Sequence, residues 1–203
     1  MADARSVRRI YQRAASHYDG SGIGRVVDAL RARVLREAGG DVLELGVGTG
    51  ATLGFYPHTV RRLTGLDLSR AMLARAAEEA CGLRFPVDLV ETDFQTLGFR
   101  DASFDVVTSS LALCGVPDPP RLYREISRVL RPGGRLMAIE HVRPQLPGAG
   151  LLADLAAPLT ERLVGCAFNR RTPEQVREAG FTVRVIGRRW FGTFVAFVGM
   201  PRR

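Results

Sequence analysis

The decamer Asp41-Val42-Leu43-Glu44-Leu45-Gly46-Val47-Gly48-Thr49-Gly50 constrains this chain more than any other stretch. A short, largely apolar run enters a turn with glycine at every second position, where positive φ is accessible and the main chain can approach a ligand closely. The pattern predicts a buried strand, then a bare turn. A helix should follow from about Ala51, its N-terminus favouring an anion.

Loops of this kind hold dinucleotides as well as other nucleosides, and Gly46-x-Gly48-x-x-Ala51 satisfies the relaxed dinucleotide pattern. Spacing strengthens the reading, because Arg62 to Leu66 reads as a second strand ending in Asp67, about where a ribose-binding carboxylate stands in such a unit. A nucleoside ligand is implied. Its identity is left open by these residues alone.

The rest of the chain alternates between helical and extended patterns. Helices are expected from about Ser6 to Ser16 and from Gly24 to Glu37, the second with Val26, Val27, Leu30, Val34 and Leu35 at helical spacing. The helix after the glycine turn should reach Tyr56, and one from Arg70 to Ala80 should be capped by Ser69. Strands are expected over 87–91, 104–108 and 135–140, with a helix from Pro120 to Leu130 stopped by Arg131-Pro132-Gly133-Gly134. A short helix from Thr172 leads to two β-rich runs, Phe181 to Gly187 and Gly192 to Gly199, whose short gap suits a hairpin. The predicted fold class is α/β: a Rossmann-like, seven-stranded, mostly parallel sheet with helices on both faces and an antiparallel C-terminal hairpin strand.

At 203 residues, 46% hydrophobic and 25% charged, one domain over 1–203 is expected. The net charge is +8, and all 29 basic residues are arginine, so lysine Schiff-base and lysine general-base chemistry are excluded. The arginines are spread from Arg5 to Arg203 and are not gathered with aromatics, so no nucleic-acid partner is expected. Cys81, Cys114 and Cys166 are scattered with no pair at metal-ligand or redox spacing. No metal is expected, and the chain reads as cytoplasmic, without a secretory leader or spanning segment.

With these residues in place, the chain resembles the class I S-adenosylmethionine-dependent methyltransferases along nearly its whole length. Glu44 to Gly50 is similar to their first motif and Gly65-Leu66-Asp67-Leu68-Ser69 to their second. Thr92-Asp93-Phe94 resembles the adenine-contacting turn, and Phe104-Asp105-Val106-Val107 with Leu130 to Gly134 is also typical. More narrowly, Tyr11 to Asp19, Ser69 to Leu73 and Arg128 to Gly134 resemble the branch of ubiquinone/menaquinone-biosynthesis and phospholipid N-methyltransferases. Leu111 to Cys114, Glu140-His141-Val142 and Gly165 to Arg170 resemble thiol methyltransferases.

The resemblance implies S-adenosyl-L-methionine as cofactor, its methionine headgroup over free N–H groups at Gly46 and Gly48, with Glu44 in the same motif. It implies Asp67 on the ribose hydroxyls, Leu68 and Met72 against the adenine, and Asp93 and Phe94 on the adenine edge. Ser109 and Ser110 would stand where cofactor and acceptor meet. Residues 1–38 would form a helical lid that includes His17 and Tyr18, and 145–170 a variable insertion on the substrate side.

Each assignment has a structural rival: Asp67 as a helix cap, Met72 as core filler, Asp93 as a turn residue, Cys114 as a small buried apolar group. His141, ending the fifth strand, and His17 are the candidate bases, against a packing or solvent-facing role; His58 should be exposed. Leu151, Leu155, Leu159 and Leu163 recur every four residues beside Leu152, and Pro158 should interrupt or kink their helix. That segment would wall a hydrophobic substrate, rest on a membrane surface, or cover the sheet. The expected activity is methylation of a small, fairly apolar thiol or amine. A quinone-precursor C-methyltransferase, a phospholipid N-methyltransferase, a nicotinamide-dependent oxidoreductase and a non-enzymatic binding module are the alternatives.

Overall fold

The computed structural model describes residues 4–15, 23–146 and 148–202. The elements run α1 (Ala4–Ala14), α2 (Ile23–Leu35), β1 (Gly40–Leu45), β2 (Val60–Asp67), α3 (Arg70–Ala80), β3 (Val87–Glu91) and β4 (Phe104–Ser110). They continue with α4 (Pro119–Val129), β5 (Leu130–His141), α5 (Ala149–Val164), α6 (Thr172–Glu178), β6 (Phe181–Arg189) and β7 (Phe194–Pro201). One seven-stranded sheet results, in the order β3-β2-β1-β4-β5-β7-β6. Strands β1 to β5 pair in parallel, and β7 is antiparallel to both β5 and β6. The expected fold class is the one observed.

Apolar side chains cover both faces of the sheet. On one, Val27, Leu30 and Val34 of α2 and Ala76 of α3 pack with Val42, Val106 and Met137. On the other, Leu122 and Ile126 of α4 and Val176 of α6 pack with Leu43, Val107 and Leu136. Burial on both faces explains why the central strands read as nearly continuous apolar runs.

Two local expectations are corrected and a third is narrowed. After the glycine turn there is no α-helix, only a single 3-10 turn over Leu53–Phe55, because the six residues between Gly50 and Pro57 allow little more. The anion-favouring dipole of a full helix is therefore missing there. The segment Arg131 to Gly134 is drawn into β5 by a register slip opposite Phe104 and Val106, with Gly133 at φ +80° absorbing the bend. Pro158 does not end its helix, since α5 continues through it; the residue is exposed, where water can take the carbonyl that loses its N–H partner.

Between β1 and β4 the order of connection reverses. In open α/β sheets, ligands bind outside the carboxyl ends of the strands at that point. No helix among the described residues is long and apolar enough to cross a membrane.

Candidate active site

A crevice opens at the carboxyl ends of β1, β2 and β4, lined by Gly46, Gly48, Asp67, Leu68, Met72, Asp93, Phe94 and Ser110. Leu111, Ala112, Gly115 and Val116 wall it from the turn after β4, Val7 and Tyr11 from α1, and Gly165 from the end of α5. Helix α1 is tied over this edge, for Ser69 donates its hydroxyl to Gln12 and Arg75 donates to the Ala15 carbonyl. His17 and Tyr18 lie outside the described residues.

The glycine turn works through two unlike glycines. Gly46 has φ +67°, and a methyl group on it would come 2.5 Å from the Ala112 methyl. Gly48 has φ +56° and nothing within 4 Å of such a group, so bare main chain faces open space. Its N–H is not free, however. It donates to Oδ2 of Asp67 at 3.0 Å, and Ser69 N–H donates to Oδ1 at 2.8 Å. The anion nearest to Gly48 is thus supplied by the protein, which corrects the expectation of a free N–H there. Burial raises the Asp67 pKa, and the backbone N–H groups of Ser69, Gly48 and Leu68 partly offset it. Helix α3 is capped by Ser69, whose Oγ accepts from Met72 N–H at 3.3 Å, so Asp67 does not serve as that cap.

Glu44 lies behind the turn, 1% exposed, and is not among the residues lining the crevice. Thr52 donates to its Oε1 at 2.5 Å and Tyr56 to its Oε2 at 3.0 Å. It therefore clamps the 3-10 turn beneath the glycine loop. Burial raises its pKa to about 7, against the lowering effect of these hydrogen bonds.

Asp93 lines the crevice and also acts as a turn residue, accepting from the backbone N–H and the side-chain amide of Gln95. Leu68, Met72 and Phe94 present apolar surface beside it. The two serines divide. Ser110 lines the crevice and its Oγ accepts from Nε of the buried Arg31 at 3.2 Å. Ser109 turns away and donates to Oε1 of Glu140 at 2.8 Å.

Glu140 is the group that sequence reasoning missed. Fully buried, it accepts the backbone N–H groups of Leu113 and Cys114, each at 3.1 Å, and so holds the turn that walls the crevice. Burial raises its pKa to about 7. A carboxylate ending the apolar run Leu136 to Ile139 was the available signal. His141 packs its ring 4.4 Å from that of Phe168 and 5.4 Å from Phe194, and it does not line the crevice. Burial lowers its pKa to about 4, leaving it neutral at physiological pH. Cys114 and Cys166, remote in sequence, meet with their Sγ atoms 2.8 Å apart, which corrects the reading of three scattered thiols. Among the described residues there is no cluster suited to a metal ion.

Residues 43–138 match the family described as methyltransferase domain. The phosphatidylethanolamine N-methyltransferase of Cereibacter sphaeroides is 41% identical over 141 residues, covering 67% of this chain and 68% of that protein. This chain belongs to the methyltransferase-domain family. The human thiol S-methyltransferase TMT1B is 35% identical over 146 residues, 70% of this chain and 59% of its own length. A demethylmenaquinone methyltransferase of Staphylococcus aureus is 31% identical over 158 residues, 72% of this chain and 64% of the other. The chain thus spans about six tenths of the length of several relatives. A SAM-dependent methyltransferase of Thermotoga maritima shares the fold, with a TM-score of 0.71 at 20% identity over 97% of this chain and all of the other.

The methyltransferase is therefore an enzyme that uses S-adenosylmethionine, and the nicotinamide-dependent alternative falls away. Its crevice fits that cofactor on its own geometry: open main chain at Gly48, a half-buried carboxylate one strand over, and an apolar shelf at Leu68 and Met72.

Proposed function

We propose that this methyltransferase acts on a small, fairly apolar acceptor through a thiol sulfur or an amine nitrogen. The main chain at Gly46 and Gly48 would carry the methionine headgroup, Asp67 the ribose hydroxyls, Leu68 and Met72 the adenine faces, and Asp93 and Phe94 its edge. The cofactor supplies an activated methyl whose sulfonium leaves as a neutral thioether. What the chain itself must do is align the acceptor and exclude water.

One observation carries the choice of acceptor. The carboxylates lining the crevice, Asp67 and Asp93, already accept protein N–H groups, and no described histidine lines it. An acceptor that brings its own lone pair, a thiolate or a neutral amine, fits such a site better than a carbon needing a general base. Relatives named for thiol and phospholipid nitrogen methylation support the same reading.

The test is a panel of thiols, amines, phosphatidylethanolamine vesicles and demethylated quinols, scored for S-adenosylhomocysteine release and methylated product. Turnover on thiols or amines is expected. Methylation of the quinol ring alone would replace this reading with carbon methylation, and cofactor binding without any product would make the chain a binding module.

A further inference from the structure

Helix α5 does not cover the sheet. At about 100° per residue, Leu151, Leu152, Leu155, Leu159 and Leu163 fall within an arc of about 120°, and the buried Gly150 and Ala157 lie diametrically opposite. The leucines face directly away from the protein, with Leu155 72% exposed. A five-leucine stripe left in water is unfavourable unless something covers it.

The hairpin between β6 and β7 adds a second apolar surface. Trp190 and Phe191 are 58% and 78% exposed, and both have positive φ, 46° and 50°. Asparagine or glycine would adopt that conformation with less strain, so two aromatic residues are held outward at a cost of about 1–2 kcal/mol each. The hairpin tip adjoins the connector into α5: Val142 N–H donates to the Thr193 carbonyl, and Gly192 faces the Gln145 side chain.

Charge indicates what covers these surfaces. Arg162 falls within the leucine arc, while Arg188 and Arg189 immediately precede Trp190. Asp154 and Glu161 fall outside that arc, and Asp154 is paired with Arg143 at 2.8 Å. Leucines and aromatics bordered by arginines suit a surface that is apolar below and anionic at its edge, as a bilayer containing acidic phospholipid is. Two copies of a chain with net charge +8 would instead bring like charges together.

We propose that the leucine face of α5 and the Trp190–Phe191 hairpin tip dock this enzyme on anionic membrane surfaces. The C-cap of α5, Gly165, lines the crevice and packs against the Tyr11 ring, so the docked helix leads to the crevice wall. Docking deepens the proposed function, since an apolar acceptor could then enter from lipid, but it does not depend on which atom is methylated.

Trp190 is the only tryptophan, so the full chain carries its own probe. Adding vesicles of phosphatidylcholine and phosphatidylglycerol should shift its emission to the blue and shield it from acrylamide, with affinity at least about tenfold above that for pure phosphatidylcholine. The double variant Leu155→Asp/Leu159→Asp should weaken co-sedimentation by about tenfold or more. Its affinity for S-adenosylhomocysteine should stay unchanged. Unshifted emission without co-sedimentation overturns the proposal. So does a stable dimer that the same variant turns into monomer, which would assign the face to a second copy. Methylation of a water-soluble thiol or amine, read on the same preparations, separates failure to dock from failure of the acceptor assignment.

Discussion

Asp67 accepts the backbone N–H of Gly48 at 3.0 Å, joining the glycine turn after β1 to the end of β2. The carboxylate that should grip the ribose is thus also a brace for the loop that should carry the methionine headgroup. Asp67→Ala removes both, orphaning the N–H groups of Gly48 and Ser69, at about 1–3 kcal/mol for each buried group left unpaired. Calorimetric titration with S-adenosylhomocysteine should show a loss of about 1–3 kcal/mol in affinity. Asp67→Asn keeps an acceptor for one donor and should retain more fold stability while still binding weakly. Unchanged affinity in either variant would remove Asp67 from the cofactor site.

The two glycines predict two different phenotypes. A side chain at Gly46 collides with Ala112, whereas one at Gly48 meets nothing within the protein and protrudes into the crevice. Gly46→Ala should lower stability by more than the roughly 1–2 kcal/mol that positive φ alone costs. Gly48→Ala should lose about that much stability and a larger share of cofactor affinity. Paired thermal unfolding and titration measure both, and equal loss of affinity at equal stability would mean that the turn does not face the ligand.

Much of this site was legible because its information is local. Glycine spacing, Asp67 at the end of a strand and Ser69 before a helix each need only neighbours in sequence. What escaped depends on contacts across the fold. Arg31 reaches Ser110 from 79 positions away, Cys114 meets Cys166 across 52, and Leu113 and Cys114 donate to Glu140 across the β4–β5 crossover. Two motif segments also proved to serve the far end of the sheet. Asp105 accepts from Asp41 N–H at 2.8 Å and from Arg131 at 2.7 Å, stapling β1, β4 and β5 where no ligand is expected. A motif marks residues that a fold reuses, and it does not separate those that touch ligand from those that tie strands.

Glu140 offers a test of how the crevice wall is held. Glu140→Ala leaves the N–H groups of Leu113 and Cys114 and the hydroxyl of Ser109 without their acceptor. Several kcal/mol of stability should be lost, at about 1–3 kcal/mol per orphaned group. Glu140→Gln can keep the oxygen shared by Ser109 and Leu113 but turns an amide N–H toward that of Cys114. It should fold and bind cofactor, with acceptor KM raised more than kcat is lowered, because Leu111 and Ala112 line the crevice. A KM equal to the parent's would separate this turn from acceptor binding.

Buried titrating groups make stability depend on pH with opposing signs. Glu44 and Glu140 each rise from an ordinary value of 4.5 to about 7, while His141 falls from 6.5 to about 4. Between pH 4.5 and 7 the unfolded chain has released the two carboxyl protons that the folded chain still holds, so their contribution is full below that window and declines as pH rises through it. The contribution of His141 runs the other way, full above its ordinary value and lost as pH falls toward 4. Glu44→Gln isolates one carboxyl: its amide N–H can face the Tyr56 oxygen, whose own proton then goes to Thr108 at 2.6 Å. Urea unfolding at pH 5 and pH 8 should show this variant gaining about 2–3 kcal/mol on the parent between the two. Parallel profiles for variant and parent would mean that Glu44 titrates as an ordinary carboxyl, and that Thr52 and Tyr56 hold its ionised form.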